Sequence, residues 1–295
     1  MHENVIAIVG PTATGKSSLA IQLARKFGGE IVSADSRQVY QGLDIGTGKV
    51  TRAEQRLVPH YLLDVARPSK VFSVADFIPR AQLALERIAR NSHIPIVTGG
   101  TGFWIDTLLR GESIPNIPPN QVLRKKLQKL APAQLFRRLQ KADPQRAKAI
   151  DQHNPVRLIR ALEILATTGK PIPKRKTSIP YNVLWLGVDF PDRVLKQRIH
   201  VRLVKRFRQG MIAEVRLQLK RGVPAKRFME MGLEYRYITQ YLKGEMTRTE
   251  LSVLLERAIW HYAKRQRTWF KRNSNIHWVK NEKQALRLAN AFLKT

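Results

Sequence analysis

The chain has 295 residues, with 53 Lys and Arg against 22 Asp and Glu, for a formal net charge of +31. With 43% hydrophobic residues, 5 Trp and no long polar tract, it has the material for a sizeable core in one large domain or two moderate ones, which excludes general disorder. The absence of cysteine excludes a disulfide framework, a cysteine-ligated zinc site and a thiol nucleophile. The basic excess runs through the chain, which points to a polyanionic partner, nucleic acid first. The start, MHENVIAIVGPT, lacks a secretory pattern, and no stretch approaches the roughly 20 apolar residues of a membrane span, so a cytoplasmic protein with no membrane segment is expected.

In chain order, apolar β-rich runs at residues 5–9, 30–34, 60–65 and 94–98 alternate with helix-like stretches such as 17–27 and 74–90. That alternation predicts an α/β fold with a parallel sheet and crossover helices. A proline-rich break begins near Pro115, and residues 122–168 read as basic amphipathic helices without a strand, a helical insertion. A second break at 169–180 precedes a buried-strand pattern at 183–188, as if the chain re-enters the sheet. Basic helices cover 192–221 and 247–271, and residues 276–279 supply a last strand before a C-terminal helix. The expected division is a core of residues 1–115 and 181–295 around an insertion of residues 116–180.

GPTATGKS, comprising Gly10, Pro11, Thr12, Ala13, Thr14, Gly15, Lys16 and Ser17, matches the GxxxxGKS/T phosphate loop between a strand and a helix, as that motif requires. Its backbone N–H groups, the helix N-terminus and Lys16 favour a diphosphate or triphosphate, and Ser17 is a candidate ligand for Mg²⁺. The strand at 94–98 runs into Gly99, Gly100 and Thr101 with no acid, so the hydrolytic apparatus of an ordinary ATPase is not expected. The strand-end acid is instead Asp35, placed either to accept a proton from a nucleophile or to make an Asx turn or helix cap. Thr101 is a candidate donor to a leaving oxygen or an N-cap. His60 and Asp64 are read as structural, and Trp260, Tyr262, Trp269 and Phe270 as core before base-stacking groups.

Together GPTATGKS, DSRQVYQGLDIGTGK, VPHYLLDV, FSVADF, GGTGFWI, RALEIL and RIHVR closely resemble the tRNA dimethylallyltransferase family, from Val5 to about Trp278. The resemblance implies a P-loop NTPase-like core and transfer of a dimethylallyl group from dimethylallyl diphosphate to N6 of the adenosine 3′ of the anticodon, adenosine-37 of tRNA. By resemblance Asp35 is the base, and Ser36, Arg37 and Gln38 complete the loop that receives an adenosine flipped from its stack. Thr101, Lys16 and Ser17 with Mg²⁺ stabilise the departing diphosphate, and Arg202 clamps it with Arg198 a turn earlier; read alone, those two arginines would be a solvated helix face. Arg124, Arg157 and Arg160 match positions facing the tRNA anticodon stem-loop, although Arg160 can equally pair with Glu163. The resemblance implies a monomer, and the cysteine-free C-terminus, which lacks the zinc finger of eukaryotic relatives, favours a bacterial-type enzyme.

MEMGLEYR at residues 229–236 departs from the family, with Glu230 and Glu234 unexpected beside RNA. Gly48 stands where alanine is common, a difference expected to matter little. The competing readings are an ATP-dependent small-molecule kinase, which leaves the charge unexplained, and a noncatalytic RNA-binding protein, which leaves the intact GKS unexplained.

Overall fold

The computed structural model describes residues 3–111, 117–171 and 181–294. Six described strands form one parallel sheet: β1 (Glu3–Val9), β2 (Gly29–Ser33), β3 (His60–Tyr61), β4 (Ile94–Thr98), β5 (Tyr181–Val188) and β6 (Ile276–Val279), in the order β3-β2-β4-β1-β5-β6. Strand β1 sits at the centre, pairing Ile6 with Ile96 on one side and with Leu184 on the other. Its alternate residues enter two cores. Val5, Ala7 and Val9 pack with Val32 and Val97 on one face, and Ile6 and Ile8 pack with Ile31 and Ile96 on the other. Both faces are covered, which is why these strands read as continuous apolar runs.

Helices α1 (Lys16–Phe27) and α14 (Glu282–Leu293) cover the second face through Leu19, Leu23, Ala285 and Ala289. The first face is covered by α3 (Val74–Arg90), α4 (Gly102–Leu109), α9 (Asp192–Arg208), α10 (Met211–Lys220), α11 (Ala225–Met231), α12 (Leu233–Leu242) and α13 (Arg248–Phe270). A short α2 (Arg52–Leu57) is closed by a capping box in which Thr51 and Glu54 exchange bonds.

The structure corrects two expected elements. Residues 60–65 were expected as one strand, but only His60 and Tyr61 pair, because Leu62 and Asp64 take left-handed backbone at φ 64° and 58°. Leu62 thereby turns into the core, and Asp64 reaches the buried ammonium of Lys49 at 2.6 Å. His60 stays structural, with Nδ1 2.7 Å from the Val58 carbonyl. The basic stretch 192–221 is not continuous either: the chain turns at Gly210, φ 95°, which ends α9 and starts α10.

The chain divides into two compact units, Met1–Gly111 with Ser178–Thr295, and Glu112–Thr177. The second is helical, built from α5 (Gln121–Leu127), α6 (Pro132–Ala142), α7 (Pro144–Ala149) and α8 (Pro155–Thr168) around Leu127, Leu135, Leu139, Leu158 and Ile159. Of the two expected breaks, residues 115–116 and 172–180 lie outside the described residues. No helix among the described residues is long and apolar enough to cross a membrane.

Candidate active site

The phosphate loop joins β1 to α1 and opens on a cavity of about 1190 Å³. Gly15 caps α1 in left-handed conformation with no side-chain acceptor, so the first-turn N–H groups are left for a ligand. The loop is braced from inside: Thr14 donates to the Pro11 carbonyl at 2.9 Å, and Lys16 Nζ donates to the same oxygen at 2.5 Å. Burial pulls the Lys16 ammonium down to about 7, the Arg202 charge adds to the fall, and the Asp35 and Asp189 carboxylates oppose it. A cation held at that balance gains from an arriving polyanion.

Helix α9 supplies a basic flank beside its buried stripe of Leu195, Ile199 and Leu203. Arg198, Arg202 and Arg206 follow at four-residue spacing and line the cavity together. Arg198 Nε donates to the Ala13 carbonyl at 2.8 Å. Arg202 donates to the Thr12 hydroxyl at 3.1 Å and towards the Gly48 carbonyl at 3.4 Å. Burial, helped by Arg206, lowers Arg202 to about 10. Arg206 is neutralised by Glu234 at 2.9 Å, both side chains being nearly buried. Glu230 pairs with Arg227 at 3.6 Å, so both unexpected acids of residues 229–236 serve internal ion pairs.

The opposite wall comes from the end of β2. Asp35 Oδ1 accepts the Arg37 N–H at 2.9 Å, the Asx turn that was the alternative to a catalytic role, and no bond to Oδ2 is made among the described residues. The turn fixes the carboxylate at the cavity wall and does not consume it. Thr101 sits at the N-cap position of α4 without capping it; its Oγ1 accepts the Ser36 N–H at 3.0 Å and lies 3.3 Å from the Ser36 hydroxyl. Arg37 reaches the Met231 carbonyl at 2.7 Å, and Gln38 spans from the Ser33 hydroxyl to the Gly48 carbonyl.

Glycines let these walls approach. An ideal Cβ at Gly99 would lie 2.2 Å from the Ala34 carbonyl oxygen, and one at Gly100 would lie 2.2 Å from Gln266 Nε2. Gly48 corrects an expectation. It holds φ +60°, and a Cβ there would lie 1.9 Å from Arg206 Nη2 and 2.0 Å from Arg202 Nη2, so an alanine must displace both guanidiniums. The loop before it is pinned by the half-buried Glu214, which accepts the N–H groups of Asp44 and Ile45 at 2.7 Å each and of Gly46 at 3.0 Å. Burial nevertheless leaves the Glu214 carboxyl raised.

Gln266, Arg206 and Glu214 had not been singled out as site residues. Arg206 continues the spacing of Arg198 and Arg202 and was findable from it. Gln266 meets partners 166 and 254 residues away, the loop N–H groups that Glu214 accepts are 168 to 170 residues away, and no local pattern marks either residue. Of the aromatic residues, Phe270 is core, Tyr262 and Trp269 line the cavity, and Trp260 packs beneath Lys196 and Lys264. Tyr262 has its hydroxyl pushed well up by burial and by Asp35.

In the helical unit, Arg124 and Arg160 converge on Glu163, whose side chain is fully buried. Arg124 makes a fork of 2.7 and 2.8 Å, and Arg160 adds a 3.3 Å contact while holding the Ile117 carbonyl at 2.7 Å. Burial alone would raise the Glu163 carboxyl, but the two guanidiniums and the Asn120 N–H hold it below its usual range. Arg157 is exposed.

A phosphate loop facing a strand-end carboxylate across one cavity, with no acid ending β4, belongs to the class of P-loop α/β proteins with a group-transfer site. A family profile described as IPP transferase matches residues 38–273. The tRNA dimethylallyltransferase of Pelotomaculum thermopropionicum is 39% identical over 287 residues, covering 95% of this chain and 91% of that protein. The protein of that name from Thermomicrobium roseum is 41% identical over 280 residues, covering 93% of this chain and 85% of that one. The crystal structure of the full-length tRNA isopentenylpyrophosphate transferase of Bacillus halodurans is 34% identical with a TM-score of 0.75, covering 100% of this chain and 96% of that one. The chain belongs to the IPP transferase family, the tRNA dimethylallyltransferases.

Proposed function

We propose that the protein transfers the dimethylallyl group of dimethylallyl diphosphate to N6 of adenosine-37, beside the anticodon of tRNA. The observation that carries the reading is the meeting of the phosphate loop, the α9 arginines and Asp35 on one cavity. The adenine N6 attacks C1 of the prenyl chain, the C1–O bond breaks, diphosphate leaves, and the N6 proton passes to Asp35. In this reading Asp35 is the base. The loop from Gly10 to Ser17, with Lys16, Arg202 and Arg198, takes the charge that develops on the diphosphate. The Thr101 hydroxyl, oriented by Ser36, faces the same charge, and Ser36, Arg37 and Gln38 shape the entry for the flipped adenosine.

The residues present fit Mg²⁺ bound jointly with the diphosphate. No cluster of three acidic or histidine side chains exists among the described residues, whereas Ser17 stands in the loop at the cavity, which suits an ion that keeps water and substrate phosphate as ligands. Bound there through Ser17, the ion would neutralise charge on the leaving diphosphate. The helical unit contacts the anticodon stem-loop in this reading, with Arg157 exposed for phosphate and Arg124 and Arg160 oriented by Glu163. The protein acts as a monomer in the cytoplasm.

The test is mass spectrometry of nucleosides digested from unmodified tRNA after incubation with protein, Mg²⁺ and dimethylallyl diphosphate, with ATP as the comparison. Prenylated adenosine that appears with the prenyl donor alone supports the reading. Asp35→Asn is expected to bind both substrates and to transfer at least about 100-fold more slowly. Near-normal transfer by that variant removes Asp35 as the base.

A further inference from the structure

Helix α13 sends one buried polar side chain into the site, and both ends of it are engaged by loops that carry chemistry. Gln266, 5% exposed, accepts the Thr12 N–H at 2.8 Å through Oε1 and donates from Nε2 to the Gly100 carbonyl at 2.9 Å. A carboxamide has one accepting and one donating end at a fixed separation. Satisfying a donor on one loop and an acceptor on another therefore sets the spacing between them. A carboxylate keeps only the accepting end, and a thioether keeps neither.

What the two loops hold gives this spacing its consequence. Thr12 belongs to the phosphate loop, and its hydroxyl is the contact of Arg202. Gly100 precedes Thr101, whose Oγ1 accepts the Ser36 N–H, and Gly99 lies against Ala34, the residue before Asp35. A chain of contacts runs Arg202, Thr12, Gln266, Gly100, Thr101, Ser36, from the diphosphate side of the cavity to the carboxylate side. Gln266 is its middle member, and Gly100 has room for it only because it lacks a Cβ.

We propose that Gln266 is a positioning residue that fixes the gap between the phosphate loop and the Gly100–Thr101 turn, and so the reach of the Asp35 side towards the bound prenyl diphosphate. This rests on the prenyl-transfer reading above. Misplacement of reacting groups by about 1 Å costs on the order of 100-fold in rate without removing any binding group. Loss of Gln266 therefore lowers the chemical rate and leaves substrate affinity in place.

The experiment uses the full chain with unmodified tRNA, Mg²⁺ and dimethylallyl diphosphate. Wild-type turnover is measured first: its absence overturns the prenyl-transfer reading and this proposal with it, whereas normal wild-type turnover leaves the variant rates to test the positioning role alone. Single-turnover rates at saturation are then measured for Gln266→Met, which fills the space without polar ends, and for Gln266→Glu, which keeps only the acceptor. Falls of about 30- to 100-fold are expected, with dissociation constants for both substrates within about threefold of wild type. Gly100→Ala perturbs the same contact with the sequence of α13 unchanged and keeps the test open should the Gln266 variants fold poorly. It is expected to slow transfer about tenfold, and combining it with Gln266→Ala, which vacates the space, is expected to cost no more than Gln266→Ala alone. A Gln266→Met rate within about threefold of wild type overturns the proposal. So does a rate loss matched by lost substrate binding, or an additive double variant.

Discussion

Protonation of Lys16 should be coupled to donor binding, and the size of the coupling follows from its surroundings. Burial and Arg202 set the free protein's Lys16 at about 7, against 10.5 for an unperturbed lysine. At pH 8 roughly a tenth of such a group carries its proton, whereas at pH 6 about nine-tenths does. A diphosphate in the loop places negative charge beside the ammonium and holds it charged at both values. Binding should take up about 0.8–0.9 proton per site at pH 8 and about 0.1 at pH 6. Calorimetric titration with dimethylallyl diphosphate in buffers of different ionisation enthalpy reads this number directly. Lys16→Arg stays charged throughout and supplies the baseline for protons taken up by the ligand itself. Equal uptake by wild type and Lys16→Arg at pH 8 refutes the reasoning. The folded pKa of Lys16 lies below the unfolded one, so between about 7 and 10.5 the unfolded chain holds a proton that the folded chain lacks. The ligand-free protein should gain stability as pH rises through that window, and Lys16→Met should flatten the rise in urea unfolding.

Three further substitutions have definite outcomes. Gly48→Ala should cost about 1–2 kcal/mol in urea unfolding from its left-handed backbone, and should weaken donor binding about tenfold by displacing the Arg202 and Arg206 guanidiniums. Glu163→Ala leaves Arg124 and Arg160, each about a third exposed, without their shared buried carboxylate and should cost the helical unit about 1.5–3 kcal/mol, seen as faster amide exchange in α5 and α8 with β1 unchanged. Glu214→Ala removes the acceptor of three loop N–H groups and should cost about 1.5–3 kcal/mol in urea unfolding while raising the KM for the donor, because the loop carries the Gly48 carbonyl.

The strands flanking the phosphate loop were legible because a parallel sheet buried on both faces writes each strand as a largely apolar run; β4 falls where such a run stands, and β5 begins two residues before its own. Expectation failed where one backbone angle outweighed pattern. Residues 60–65 look like a strand until Asp64 turns to meet Lys49, whose side chain is 2% exposed, and residues 192–221 look like one basic stretch until Gly210 turns the chain. The Asx turn of Asp35 and the Arg160 pairing with Glu163 are local and were readable as alternatives. The Arg124 pairing spans 39 residues and the Gln266 bridge spans 254, and nothing in their immediate neighbours encodes either.

The net charge of +31 locates no site by itself; what separates the arginines is whether an acid already answers them. In the helical unit the buried Glu163 holds two guanidiniums together, so Arg124 and Arg160 are arranged before any phosphate arrives. Among the described residues Arg206 is the only α9 arginine with an acidic partner; Arg198 and Arg202 make no ion pair there and bond to loop oxygens. Burial lowers Arg202 and Lys16, and repulsion between like charges, from Arg206 on Arg202 and from Arg202 on Lys16, adds to the fall. The folded protein accepts that cost because the cations are already turned towards one another's future ligand. A diphosphate relieves the repulsion and needs no rearrangement of the scaffold, which is the condition for charge stabilisation to act on the leaving group as it departs.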